Sequence, residues 1–522
     1  MADLSDPLEF ALNMASTYMS FLLTLATFFL VGIFSYMLKN KKPHLPPGIV
    51  DVPGPLGIPI FGNLFQLGAE PYLSFCKWAE RFGDVVRIKL GSRTVIVLNG
   101  TRAIHQALIK QSIVFSGRPN LSGFLSAIEI NGGSVAFSSY DESWKIHRRI
   151  AENAVRYFTS GKQSVHVEHH VTHEAKELIK FVMKGKERVI MDPSKLLKLS
   201  VSNVMAGMIF QERHNLDHED VRGIVNELER VIDSIGGSNK ADFLPWLGVL
   251  VPSLKKDYQT FTTQLRDILT VHIDKHLENY ESGMDTDILY YLMTLAENLD
   301  PKQKAELNLT DERVRSTIID FFRAGYETVA TTLLWAFLYA IYYPGIQQEI
   351  REEIDEVVGR GRLPCITDRG NLPLTEAFLA EVSRHASVVA TTVPHSTIND
   401  TVLGGGYNYF IPKDVVVMVN LYSIHHDPKM WDEPEKFDPR RFLSEDGAKL
   451  DTDKVNSLMR FGAGRRKCVG IEIAQMELFL FFTIIIHQCF LKNVEGQELS
   501  LKRKGSLLVM HPVKYEMEMT QR

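Results

Sequence analysis

The stretch Phe461-Gly462-Ala463-Gly464-Arg465-Arg466-Lys467-Cys468-Val469-Gly470 stands directly before a long apolar run that ends near Leu491. Its glycines let the backbone approach a flat partner closely, and the start of the following helix favours negative charge. Arg465, Arg466 and Lys467 can balance a thiolate and should lower the Cys468 thiol pKa. Cys468 alone reads as a buried cysteine in a basic turn; the whole pattern reads as a metal-binding thiolate. The run from Ile471 to Leu491 carries Glu472, Glu477 and His487, which suits a buried core helix better than a membrane span.

Upstream, Ala324-Gly325-Tyr326-Glu327-Thr328 lies in an apolar helical run from about Val314 to Tyr342. A mid-helix glycine costs about 1 kcal/mol relative to alanine, so Gly325 implies a packing or functional reason. Thr328 alone reads as a hydroxyl bonded back to its own helix. Pro344-Gly345 closes that run, and Ile346, Ile350, Ile354 and Val357 form an apolar stripe on the next. Glu381 and Arg384 have the spacing of a helical ion pair, and Trp144 and Arg148 share a helical face. Val85 to Val97 alternates around Gly91-Ser92-Arg93, as a hairpin would.

The order of these motifs resembles the cytochrome P450 superfamily. Its haem-binding loop, Phe-x-x-Gly-x-Arg-x-Cys-x-Gly, is matched by Phe461, Gly464, Arg466, Cys468 and Gly470. Glu381-Val382-Ser383-Arg384 is similar to its Glu-x-x-Arg pair, and the segment Trp431 to Phe442 is similar to the one that docks on that pair. The resemblance implies a mainly α fold with a small β-sheet subdomain, preceded by one N-terminal transmembrane helix. It implies haem b (iron protoporphyrin IX) ligated by Cys468, with Phe461, Gly470 and Ala324 against the cofactor. Trp144, Arg148, His395 and Arg466 fall to the haem propionates, and Glu381, Arg384 and Arg441 to a buried structural network. Gly325 would make room for dioxygen, and Glu327 and Thr328 would carry protons to it. The implied activity is a monooxygenase that inserts one oxygen atom of O2 into a lipophilic substrate. No strand-to-helix GxGxxG is evident for a nicotinamide site. Electrons are therefore expected from NADPH-cytochrome P450 reductase, with cytochrome b5 as a further partner, received near Lys145, Arg149, Arg465 and Lys467.

Arg81-Phe82-Gly83-Asp84-Val85, Phe115-Ser116-Gly117-Arg118-Pro119, Ala241-Asp242-Phe243-Leu244-Pro245 and Pro394-His395-Ser396-Thr397 resemble the animal aryl hydrocarbon hydroxylase branch, family one. That likeness implies planar aromatic xenobiotics, steroids or fatty acids as substrates. Phe124, Phe321, Phe322, Arg323 and Val393 are the candidate pocket residues. Arg323 replaces a usual small residue, and Ala390-Thr391 replaces a proline-aromatic pair. Arg323 is open to three readings: it faces away, pairs with an acid, or recognises an acidic substrate.

Composition sets the bounds. The chain has 522 residues, 45% hydrophobic and 23% charged, as in folded proteins. A net charge of -5 argues against a nucleic-acid partner. The four cysteines form no CxxC pair, which argues against a disulfide scaffold. Sequons at Asn99, Asn120, Asn308 and Asn399 are read as unused. Between Glu9 and Lys39 there is no charge, and the apolar stretch is long enough for about 30 Å of hydrocarbon. Acids precede it and Lys39, Lys41 and Lys42 follow, so residues 1–42 are read as a single-pass anchor in the endoplasmic reticulum membrane with the body in the cytosol. Residues 43–60, rich in Pro and Gly, form a linker, and 61–522 the catalytic domain. His166, His169, His170 and His173 have metal-compatible spacing but no HExxH, and read mainly as a solvated face. Two rival functions are a haem-thiolate isomerase or lyase and a catalytically reduced, membrane-tethered haem protein.

Overall fold

A computed structural model describes the backbone at scattered positions between 14 and 31, at 45–121, 133–217, 243–244 and 251, and over 253–306, 310–505 and 508–522. The longer helices are α1 (Glu142–Thr159), α2 (Ser164–Met183), α3 (Ser194–Phe210), α4 (Ser253–Leu277), α5 (Asp311–Tyr342), α6 (Pro344–Val358), α7 (Pro373–Ala386) and α8 (Ile471–Gln488).

Local chemistry sets their ends. Asp141 caps α1 by accepting from the Trp144 N–H at 2.6 Å. Thr310 caps α5, and Asp311 and Glu312 occupy its first turn, where the helix dipole favours acids. At the break between α5 and α6, Tyr343 ends one helix, Pro344 begins the next, and the axes bend by 107°. On α6 the buried face comprises Gln347, Ile350, Arg351, Ile354 and Val358. Val357, placed in the apolar stripe by sequence, is 37% exposed, because the helical period carries the stripe one position further.

Helix α5 is the axis of the main core. Tyr326, Ala330, Leu333, Trp335 and Phe337 are buried along it, against α3, α7 and α8. Helix α8 is apolar and long enough to cross a membrane, yet 72% of that window is buried in protein, so it is a core helix, in keeping with the acids it carries. Beside the helices lies a four-stranded sheet whose hairpin pairs Val86 with Val97 and Leu90 with Arg93. Val416–Val419 adds in parallel to Arg93–Leu98, and His395–Ser396 pairs antiparallel with Val416–Val417. This sheet therefore places His395 beside the Phe115 to Arg118 segment. Val50 and Asp51, in the stretch read as linker, pair in parallel with Tyr409 and Phe410, so this part of the stretch is bound to the body.

Candidate active site

The cysteine loop is built to dock. Gly464 has φ +66°, and a Cβ there would lie 1.8 Å from the Leu108 carbonyl oxygen, so only glycine fits. The Cys468 N–H donates to the Phe461 carbonyl at 2.9 Å, closing the loop, and Gly470 then caps α8. The Cys468 side chain is exposed, yet burial pushes its thiol pKa up.

The lowered thiol pKa expected from the basic loop is therefore corrected. The Gly470 N–H, Arg148 and Lys467 do favour the thiolate, but burial outweighs them. The reason is that Arg465 and Arg466 turn elsewhere. Arg465 lies over the Tyr140 ring, and Arg466 donates to the Ser116 and Ser138 carbonyls at 2.9 and 2.8 Å. A cation bound at the sulfur would supply the charge that the loop does not.

A second surface comes from α5. The helix is buried on nearly every side, but Ala324 is exposed and Phe321 and Thr328 are half-buried, one stripe at helical spacing. The Thr328 hydroxyl donates to the Ala324 carbonyl at 2.8 Å, the local bond its sequence position suggests. Gly325 has a packing reason in the fold. A Cβ there would meet the Met205 sulfur at 2.6 Å, so the glycine lets α3 pack closely on α5. Phe322 is buried against Tyr326 in the core, and Phe124 lies outside the described residues.

Glu327 is buried and turns toward α3 and the C-terminal strands. Its Oε1 lies 3.3 Å from Lys198 Nζ, 3.3 Å from His511 Nε2 and 3.5 Å from the Thr331 hydroxyl. Arg323 pairs with Asp320 at 3.5 Å and covers the Phe137 ring at 4.6 Å, which selects the acid-pairing reading among the three. Asp320 in turn accepts from the Ser134 hydroxyl at 2.7 Å and the Ala136 N–H at 3.2 Å.

A group of cations gathers beside the cysteine loop. The Arg466 guanidinium lies 3.8 Å over the Trp144 ring. Burial, then the like charges of Arg118 and Arg148, pushes the Arg466 pKa down. Arg118 is pushed down in the same way, by burial and then Arg148. A guanidinium stays charged in proteins, so such a cluster calls for an anion. Arg148 pairs with Glu152 at 2.7 Å and donates to the Lys467 carbonyl next to Cys468. His395 is buried, its Nδ1 2.8 Å from the Phe115 carbonyl, and burial with Arg118 holds its pKa well below the usual value. The Trp144 indole N–H donates to the Val135 carbonyl at 2.9 Å. It enters the cluster as the aromatic face under Arg466. Val393 enters through its carbonyl, which accepts from Arg118 at 3.1 Å.

Elsewhere in the core, Arg384 forms two bonds to Glu381 at 2.7 and 2.9 Å, both side chains fully buried. Arg441 reaches Glu381 at 3.1 Å, and Arg384 also donates to the carbonyls of His425 and Pro434. The Trp431 to Phe442 segment thus docks on α7 through these charges. On α2, His169 and His173 stack at 6.1 Å and His170 packs against Gly207, and among the described residues the four histidines do not converge as metal ligands.

The donor set fits haem b: the soft sulfur of an exposed cysteine, a helix face bare at a small residue, and an arginine cluster for two carboxylates. The cytochrome P450 family profile matches residues 52–519. The chain belongs to the cytochrome P450 family. Similar proteins include cytochrome P450 1A1 of Oryzias latipes, 37% identical over 491 residues that make up 92% of this chain and 93% of the relative. Cytochrome P450 1A5 of Gallus gallus is 33% identical across 94% of this chain and 93% of its own length. Cytochrome P450 1A1 of Platichthys flesus is 36% identical, with coverage of 91% and 92%. The chain therefore has the P450 fold, is similar to animal family one, and takes haem b. It is a haem monooxygenase of lipophilic substrates.

Arg118, Asp320, Lys198 and His511 carry no functional signal that sequence reasoning picked out. Asp320 could have been found, since it precedes Arg323 by three helical positions. Lys198 and His511 reach Glu327 from distant elements and leave no local trace.

Proposed function

We propose that this P450 is a microsomal monooxygenase in which Cys468 is the thiolate ligand of haem, electrons come from NADPH-cytochrome P450 reductase, and the substrate is an aromatic xenobiotic, steroid or fatty acid. The observation that carries this reading is Cys468, exposed in a loop that only glycine at 464 allows and that closes on the Phe461 carbonyl. Bound haem supplies dioxygen activation, which a cysteine thiolate favours by donating electron density.

The residues of the chain divide the remaining tasks. Arg466, Arg118 and Arg148 attract the two propionates, and an anion beside them favours the protonated form of His395. Trp144 holds the Arg466 guanidinium in place, while Phe461 closes the loop and Gly470 starts the helix. Ala324 keeps the α5 face open at the smallest cost in volume. Thr328 offers a hydroxyl on that face, and Glu327 an acid one residue away. His511, with its side chain 22% exposed, touches both Glu327 and Thr331 and so leads protons inward from the surface.

Phe321 and the Arg323-covered Phe137 supply flat apolar walls for an aromatic substrate. Arg149, Arg465 and Lys467 are exposed and Lys145 half-buried, a cationic face suited to an acidic reductase and, in the same way, cytochrome b5. Residues 1–42 form the anchor, 43–60 the linker and 61–522 the catalytic domain. In the anchor, Tyr18, Phe21 and Leu23 are exposed on helical backbone, and Thr24 and Thr27 return their hydroxyls to the helix, as lipid requires.

The test is the absorption spectrum of the reduced, carbon monoxide-bound protein. Wild type is expected to give a strongly red-shifted Soret band that Cys468→Ala lacks; a haem-replete wild type without that band overturns the assignment. Product formation that requires reductase and NADPH separates a monooxygenase from an isomerase or lyase.

A further inference from the structure

We propose that Glu212, His214 and His272 form a binding site for a divalent zinc ion that staples the segment after α3 to α4. His272 Nδ1 lies 2.9 Å from Glu212 Oε2, and His214 Nε2 lies 3.9 Å from the same oxygen. The three ligand atoms all fall within 4.8 Å of one another. Zinc holds nitrogen and oxygen at about 2.0–2.1 Å in a tetrahedron, which sets ligand atoms roughly 3.4 Å apart. The observed separations bracket that value, so small side-chain rotations close the site. Two imidazoles and one carboxylate are a donor set that zinc favours over magnesium or calcium. Water takes the fourth position, because all three side chains are only partly buried.

The surroundings hold the ligands in place. Asn203, itself buried, donates to the His214 carbonyl at 2.8 Å and accepts from the His214 N–H at 3.1 Å. That pair of hydrogen bonds pins the loop which carries both Glu212 and His214. Phe210 stacks on the His272 ring at 6.1 Å. Lys275 lies 3.4 Å from the other Glu212 oxygen and opposes a cation, but it is 72% exposed and can swing into solvent. The histidines singled out by sequence spacing, on α2, are a separate group outside this site. The three ligands also lie apart from the residues assigned to haem, so the site stands or falls independently of Cys468.

The test is zinc titration of the full-length haem protein against a chromophoric chelator, with the carbon monoxide spectrum as the check on folding. Wild type should take up one equivalent, and His272→Ala and Glu212→Gln should each weaken uptake by about tenfold or more. His169→Ala should leave it unchanged, and Lys275→Ala should strengthen it. Zinc should also raise the thermal midpoint of wild type but not of Glu212→Gln, which keeps the shape of the side chain. Cobalt in place of zinc should give tetrahedral d–d bands. Uptake that survives both His272→Ala and Glu212→Gln, or that is lost in His169→Ala, overturns the proposal, as does a wild type that binds none.

Discussion

The Arg466 guanidinium lies 3.8 Å over the ring of Trp144, and this contact joins the cysteine loop to the first turn of α1. The same guanidinium bonds the carbonyls of Ser116 and Ser138, so three separate segments meet at one side chain. Trp144→Ala removes the face and leaves a cavity, and should cost about 3–5 kcal/mol with loss of haem. Trp144→Phe keeps the face and should cost much less. Haem content per protein and the denaturation midpoint in urea measure both effects; equal losses in the two variants would disprove the stacking role.

Glu381 and Arg384 are both fully buried, and each is the other's main countercharge. Breaking such a pair leaves a stranded charge, at a cost of about 3–5 kcal/mol. Arg384→Ala should therefore prevent stable haem retention. Arg441→Ala should do less harm, because Arg441 sits at the partly exposed rim of the network. The ranking is read from the temperature at which haem is released.

Among the described residues the Glu477 carboxyl, fully buried on α8, has no hydrogen-bond partner, and burial pushes its pKa from 4.5 up to about 8. Between those values the folded state holds a proton that the unfolded chain has released. Stability from this group is thus present at low pH and falls as pH rises through that window, by on the order of 5 kcal/mol. Glu477→Leu should flatten this part of the pH–stability curve and raise the thermal midpoint at pH 8. An unchanged slope would mean that Glu477 does not titrate in this range.

Glu327 is buried beside the Ala324 stripe of α5 and held there by Lys198, His511 and Thr331. If it delivers protons, Glu327→Gln should lower turnover by about 10²-fold while the substrate-binding spectrum stays unchanged. Lys198→Met should destabilise the fold by about 3 kcal/mol, since it removes a countercharge from a buried carboxylate. Steady-state turnover and urea unfolding separate the two effects. Normal turnover in Glu327→Gln would remove the residue from the proton path.

Much of the architecture is legible along the chain. The Val85 to Val97 hairpin follows from alternation around a tight turn, and the α5 to α6 break from Pro344. Helical period and turn chemistry are local, so neighbouring residues are enough to reveal them. The stripe on α6 falls one position away from its sequence reading because Val357 and Val358 are both apolar and only packing chooses between them.

Residue types at fixed spacing are enough for the family, the order of the motifs and the cysteine loop. What each charged group does follows from the fold alone. Sequence leaves Arg323 open to three readings, and Asp320 and Phe137 beside it choose one; Gly325 calls for a packing or functional reason, and the close approach of Met205 supplies a packing one. A lowered Cys468 pKa follows only if cations close in sequence are also close in space, and here burial prevails. Coulomb energy and burial depend on distance through the fold, and the chain brings Lys198 and His511 to Glu327 while it turns Arg465 and Arg466 away from the sulfur.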